Sequence, residues 1–432
     1  MHHISKVAIE GFWDTHNIEL HLFPEVTFLI GQNGTGKTTL INLLAAALTA
    51  DFPTLDRIAF KKLSIHLSGI GNADAPKITV TKSKKQKRPF GLIEYVIKAD
   101  QNSTEIKYSL EDIEEQLVMR RFGADPTRYI RDYYRPMSSG LIANLQQLVH
   151  VNWLSVHRAP AIDRSRDERS LESSVDLRLE SLSNDLVRFF ATLSRQKDDE
   201  VRDFQESIFT SLLEPKADVM DVFDTKRLEQ LQEFRAALVS IFSELHVAQE
   251  DKEALISSFM SRVEALRKTA KLRGGVVKLS ADDLVVLFDL RRVADVVDRW
   301  NKLQERLASV FSQRDKWLKL TNDLLQRKKM ELTASNELQF LSRTGKILTT
   351  QMLSSGEKQL LILLSETLLQ REQPAIFIAD EPELSLHVLW QEKLVSSLRA
   401  LNPSAQIIAA THSPDIVGPL ADHAIDMETL IP

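Results

Sequence analysis

Residues 31–39 read Gly-Gln-Asn-Gly-Thr-Gly-Lys-Thr-Thr, and they fall between an apolar run, Val26 to Ile30, and a stretch with Leu40, Ile41, Leu43, Leu44 and Leu48 at helical spacing. A strand, a glycine-rich turn and a helix in that order make the phosphate-cradling P-loop pattern. Its glycines let backbone N–H groups curl around phosphate oxygens, and the helix start adds the positive end of its dipole. The pattern assigns Gly31, Asn33, Gly34, Thr35, Gly36, Lys37, Thr38 and Thr39 to ATP, with Lys37 on the β- and γ-phosphates and the Thr38 hydroxyl on Mg²⁺. An α/β fold with a P-loop core follows.

A second apolar run, Ala375 to Ala379, ends in two adjacent carboxylates, Asp380 and Glu381. Neighbouring residues at a strand end point different ways, so Asp380 is placed to hold Mg²⁺ through water and Glu381 to polarise an attacking water. Just before it, Leu353-Ser354-Ser355-Gly356-Glu357-Lys358-Gln359 reads as a helix start, with Ser354 or Ser355 as N-cap and Leu360, Leu361, Leu363, Leu364, Leu368 and Leu369 as its apolar face. A third apolar strand, Ile407 to Thr411, leads into His412 and Ser413-Pro414.

Between these blocks the chain changes character. From about Leu171 to Leu332 it is charged, nearly free of proline and glycine, and apolar at helical spacing, with breaks at Pro215 and Gly274-Gly275. No unbroken heptad pattern runs through it, so a compact helical subdomain or short hairpin is expected over 166–335, inserted between head segments 1–165 and 336–432. Two hairpins are also expected: Ile78–Thr81 with Leu92–Ile97, and Glu337–Leu341 with Lys346–Thr349.

Charge and composition narrow the partners. Lys and Arg number 55 against 60 Asp and Glu, a net charge of −5, which argues against coating nucleic acid by bulk charge. Any such contact needs a local patch. One candidate is Lys82, Lys84, Lys85, Lys87 and Arg88 at the tip of the first hairpin, either a solvated loop or a contact for DNA, RNA or an acidic protein. With no cysteine, disulfides, thiolate metal sites and thiol catalysis are excluded. No signal peptide and no run of about 18 apolar residues is found, so a cytoplasmic chain without membrane contact is expected.

Taken together, these motifs resemble the ABC/SMC-like ATPases, over about residues 4–50 and 338–420. Leu353 to Gln359 is similar to the ABC signature, which implies that Ser354, Ser355 and Gly356 grip the γ-phosphate on the P-loop of a facing copy. The resemblance likewise implies an ABC-type head, a homodimer of heads with room for larger homo-oligomers, and a γ-phosphate contact by His412 beside catalytic Glu381 and Lys37. The run Glu381-Pro382-Glu383 followed by Leu386-His387 resembles the OLD-type (AAA_15/AAA_21-like) variant rather than the transporter form, in particular the ATPase subunit of the anti-phage PARIS system. That resemblance implies a separate toxic nuclease effector of the TOPRIM type, because about 20 residues follow His412, and a phage trigger protein of acidic character. A RecF-like repair ATPase that binds duplex DNA stays open as the alternative. No glutamine stands where an ABC Q-loop is expected, after Val149–Val156, where His157 and Arg158 occur instead, and Phe12 and Trp13 are candidates for stacking on the base.

Overall fold

The apolar runs that flank the motifs become the strands of one parallel sheet. Its order is β14 (Ala424–Asp426), β3 (Val26–Ile30), β13 (Gln406–Ala410), β12 (Ile376–Asp380) and β8 (Val151–Leu154), all parallel. Strands β3, β12 and β13 are buried almost throughout, which is why they read as continuous apolar runs. The computed structural model describes residues 2–68, 75–83, 92–98, 105–109, 140–154, 174–213, 231–244, 249–271 and 280–431.

A second sheet is antiparallel: β2 (His16–His21), β1 (His3–Phe12), β4 (Lys62–Ser68), β5 (Lys77–Ser83), β6 (Leu92–Lys98) and β7 (Ile106–Tyr108). Here burial alternates along β5 and β6, as expected of strands with one covered face. The expected pairing of Ile78–Thr81 with Leu92–Ile97 is present, Ile78 opposite Ile97 and Thr81 opposite Glu94. A third, three-stranded sheet joins β11 (Ile347–Leu348), β10 (Leu338–Ser342) and β9 (Lys328–Leu332), and contains the second expected hairpin.

Helix α1 (Lys37–Thr49) is apolar on nearly all sides because it is covered on nearly all sides. It packs on β8, β12 and β13, and the Tyr95 hydroxyl of β6 donates to its Ala47 carbonyl at 3.0 Å. The two sheets are also tied by buried Gln406, whose side chain bonds both backbone groups of Ile4 and the Phe23 carbonyl, at 2.7–2.8 Å. Every polar atom of that amide is satisfied, so its burial carries little penalty. Helix α2 (Phe52–Arg57) follows, capped by Asp51.

The chain forms two compact units, Met1–Arg188 with Arg314–Pro432, and Phe189–Gln313. The helices are α3 (Ser174–Leu213), α4 (Leu231–Glu244), α5 (Gln249–Lys271) and α6 (Ala281–Leu324). Two of them are longer than a compact bundle would suggest: α3 has 40 residues and α6 has 44, about 60 Å or more each. Within Phe189–Gln313, Phe204, Phe234, Ile241, Ile256, Val297 and Trp300 form a core, with Phe204 edge-on to Trp300 at 5.6 Å. The expected breakers Pro215 and Gly274-Gly275 lie outside the described residues. After β11 come α7 (Ser355–Leu369), α8 (Val388–Leu401) and the short α9 (Pro414–Val417).

Candidate functional site

The carboxyl ends of β3, β12 and β13 lie side by side, and each delivers one motif. The loop after β3 leads into α1, whose N-cap is Gly36 without any side-chain cap and whose first turn carries no acid. Its leading N–H groups are thereby left for an anion. Gly36 has φ +87°, and a Cβ there would press on the Trp13 indole at 3.0 Å, so only glycine fits. At Gly34, φ is +89° and a Cβ would meet nothing within 4 Å, consistent with an open cradle beside the loop. Thr35 closes the turn with a hydroxyl bond to the Gln32 carbonyl at 2.9 Å. Asn33 and Thr38 are exposed, and Thr39 is half-buried.

Lys37 is folded back along the loop, its ammonium donating to the carbonyls of Gly31 at 2.7 Å and Gln32 at 2.8 Å. Burial lowers its pKa below the ordinary lysine value, against the opposing pull of Glu381, Asp380, Glu428 and Asp426. The last two come from the end of β14 and beyond, which the motif reading did not include. Glu428 accepts from the Gln32 amide at 2.9 Å, so this segment braces the loop.

The decisive contact spans the chain. Thr38 Oγ1 donates to Asp380 Oδ1 at 3.0 Å across 342 positions of sequence. A hydroxyl and a carboxylate oxygen side by side form a hard oxygen donor set of the kind Mg²⁺ takes, so the residues fit the metal that the motifs imply. Glu381, next in sequence, adopts φ +47° and its amide continues the ladder to Ala410 at 2.9 Å. That left-handed turn swings its carboxylate toward the end of β13, where Oε1 lies 4.0 Å from His412 Nε2. Both side chains are about one-third exposed, 34% and 38%.

The segment 354–356 has a different setting. Ser354 is the N-cap of α7 in a reciprocal capping box: its hydroxyl accepts from the Glu357 amide at 3.3 Å, and Glu357 Oε2 accepts from the Ser354 amide at 2.7 Å. Lys328 adds an ion pair to Glu357 at 2.6 Å. Although burial pushes the Glu357 carboxyl up, the bonds from Lys328 and Ser354 outweigh it and hold its pKa below the ordinary value. Ser354 and Ser355 are exposed, whereas Gly356 is buried. A Cβ on Gly356 would overlap the Ser385 carbonyl oxygen and touch the Trp390 ring. Gln359 bonds the Pro382 carbonyl at 2.9 Å, so α7 is fastened to the turn that follows Glu381. Among the described residues, no hydrogen bond joins 354–356 to the loop of the same chain.

Several other expectations resolve differently. Phe12 is fully buried, so it cannot stack on a base; Trp13, stacked on Phe12 at 5.0 Å and 38% exposed beside Gly36, can. Lys82 is not part of an exposed basic tip. Its ammonium is buried against the end of α2, bonding the carbonyls of Leu55, Asp56 and Ile58. Lys84, Lys85, Lys87 and Arg88 lie outside the described residues, as do His157 and Arg158. Besides Asp426 and Glu428, a residue whose role sequence reasoning missed is Glu383, named only as part of the Glu-Pro-Glu run and here buried beside His412. Its only signal was the second acid of Glu-Pro-Glu.

Residues 26–418 match the AAA_21 family, described as "AAA domain, putative AbiEii toxin, Type IV TA system". That span takes in the loop, helices α1 to α8, Asp380, Glu381 and His412. The chain belongs to this family. An AAA-type, nucleotide-binding ATPase is therefore the coarse identity of the molecule. Among solved structures, the Smc head domain of Pyrococcus furiosus with an extended coiled coil, bound to the C-terminal domain of ScpA, aligns over 99% of this chain and 94% of its own, with 11% identity and a TM-score of 0.39. The Smc head domain of Pyrococcus yayanosii with a coiled coil and joint aligns over 96% and 93%, with 13% identity and a TM-score of 0.36. At these scores too little backbone is shared for any site to be read across. Among the described residues no helix is long and apolar enough to cross a membrane.

Proposed function

We propose that this AAA_21 protein is an ABC-type ATPase in which two copies face each other, each presenting Ser354, Ser355 and Gly356 to the nucleotide on the other's loop. The supporting observation is the Thr38–Asp380 contact with the Glu381–His412 pair next in the chain and on the adjacent strand end, which brings motif residues from three strand ends to one edge of the sheet. Thr38 and Asp380 would hold Mg²⁺, which supplies charge neutralisation to the phosphates when bound. Lys37 and the amides of residues 33–38 bind and orient the β- and γ-phosphates. Glu381 orients water and takes its proton, while His412 contacts the γ-phosphate on the same side. The two exposed serines at a capped helix start favour the facing arrangement, since a helix N-terminus in solvent can meet an anion carried by another copy.

In the cell, the chain would sense phage invasion and restrain a separate toxic nuclease effector until triggered. The family description, which names a "putative AbiEii toxin, Type IV TA system", supports a two-component reading but does not assign this chain the restraining part. Affinity purification from a host carrying the neighbouring genes tests it. A nuclease that co-purifies, and is toxic only when released, is the expected result. Duplex DNA that stimulates turnover with no co-purifying protein would favour the repair reading instead.

A further inference from the structure

We infer that Glu383 is the positioning residue that holds His412 against Glu381, an inference that rests on the ATPase reading above. Its carboxylate leaves the turn after β12 and reaches the turn after β13. There a single oxygen, Oε1, accepts from the Thr411 hydroxyl at 2.6 Å, the His412 amide at 2.9 Å and the Ser413 amide at 3.2 Å. The residue is 8% exposed and, among the described residues, its other oxygen, Oε2, has no hydrogen-bond partner. Burying a carboxylate with one oxygen unpaired is costly, and an apolar side chain would pack there more cheaply. The expense is explained by geometry that an apolar residue cannot deliver.

The bonds close into a ring. The Thr411 hydroxyl also accepts from the Ser413 amide at 2.9 Å, the Ser413 hydroxyl donates to Gln391 Oε1 at 2.6 Å, and Gln391 Nε2 donates to the Leu386 carbonyl at 2.9 Å. The Leu386 amide returns to the Glu383 carbonyl at 2.9 Å. Three segments are thereby locked: the turn bearing Glu381, the turn bearing His412, and α8. The Glu381–His412 separation of 4.0 Å is the outcome of that lock, because Glu383 grips the His412 backbone directly and sits two residues from Glu381.

The requirement is for an acceptor oxygen at this point, which Gln also supplies. Glu383→Gln should therefore keep kcat within about threefold of the parent, while Glu383→Ala should lose about a hundredfold, the scale of a small misplacement of catalytic groups. In both variants the KM for ATP and ATP binding should stay near the parent values, since the loop is untouched. A merely structural role would instead lower the melting temperature and the folded fraction and leave kcat per folded molecule alone. Thr411→Val, close in shape, covers the case in which Glu383→Ala does not fold. It removes one donor of three and should lower kcat several-fold with KM kept. Parent kcat in Glu383→Ala or in Thr411→Val overturns the inference, and so does a Glu383→Gln variant as impaired as Glu383→Ala. If the parent protein binds ATP without turning it over, the ATPase reading itself fails, and the role of Glu383 falls with it.

Discussion

At the scale of single residues, charge and water placement divide between Lys37 and Glu381, and the division is measurable. Glu381→Gln keeps the left-handed turn and the ladder bond to Ala410 but loses the base, so turnover should fall by about 10²- to 10⁴-fold while ATP stays bound. Lys37→Ala should instead lose ATP binding. Equilibrium binding and steady-state turnover on both variants separate the two defects; equal loss of binding in both would remove the assigned roles. Trp13 carries a second prediction. It is the exposed aromatic at the loop, so Trp13→Ala should weaken ATP binding about tenfold, within the range of base–aromatic stacking, and unchanged affinity would exclude it. These residues were legible because each motif is local: glycines, lysine and threonine sit next to one another in the chain. Glu383 was not, because its partners Thr411, His412 and Ser413 lie about 30 positions away and only folding brings them to it. Lys82 was misplaced for a related reason. A run of cations looks the same whether its first member caps a helix or projects into water, and the carbonyls of α2 decide it.

At the scale of elements, α7 couples its own stability to the posture of the exposed serines. Ser354→Ala removes the cap and should cost about 1 kcal/mol, visible as a lowered melting temperature. Glu357 adds a pH signature. Its folded-state pKa lies below the ordinary 4.5, so its contribution is fully present above that value and is lost as pH falls below it. The gap in melting temperature between the parent and Glu357→Gln should therefore be open at pH 7 and narrow below about pH 4.5. A gap that does not change with pH would mean that the Lys328 pair and the reciprocal cap do not stabilise the helix. The strands that flank the motifs and both hairpins could be read from alternating or unbroken apolar runs, but β4, β7 and β14 were not, and β9 (Lys328–Leu332) is a strand inside the span expected to be helical, because its alternation is too short to stand out from the charged helices before it. Helix lengths could not: the absence of a clean heptad pattern suggested a compact subdomain or short hairpin, whereas α3 and α6 run to 40 and 44 residues, with part of their apolar faces covered by the core around Phe204 and Trp300.

At the scale of the whole molecule, the account depends on a site completed by a second copy. Gly356 is a poor place to test this, since any side chain there collides with Ser385 of its own chain. Ser355 is exposed in the first turn of α7, where a carboxylate is favourable to the helix dipole but repels phosphate. Ser355→Asp should therefore fold and bind ATP yet turn over poorly, and Lys37→Ala should fail at the loop. In a mixed dimer, the Ser355→Asp chain supplies an intact loop and the Lys37→Ala chain an intact helix start, so one complete site is restored. The most direct measurement is ATP turnover of the two variants mixed across a range of ratios. The account predicts activity well above either variant alone, greatest near equal amounts. Turnover that remains the weighted sum of the two separate variants at every ratio would contradict a shared site.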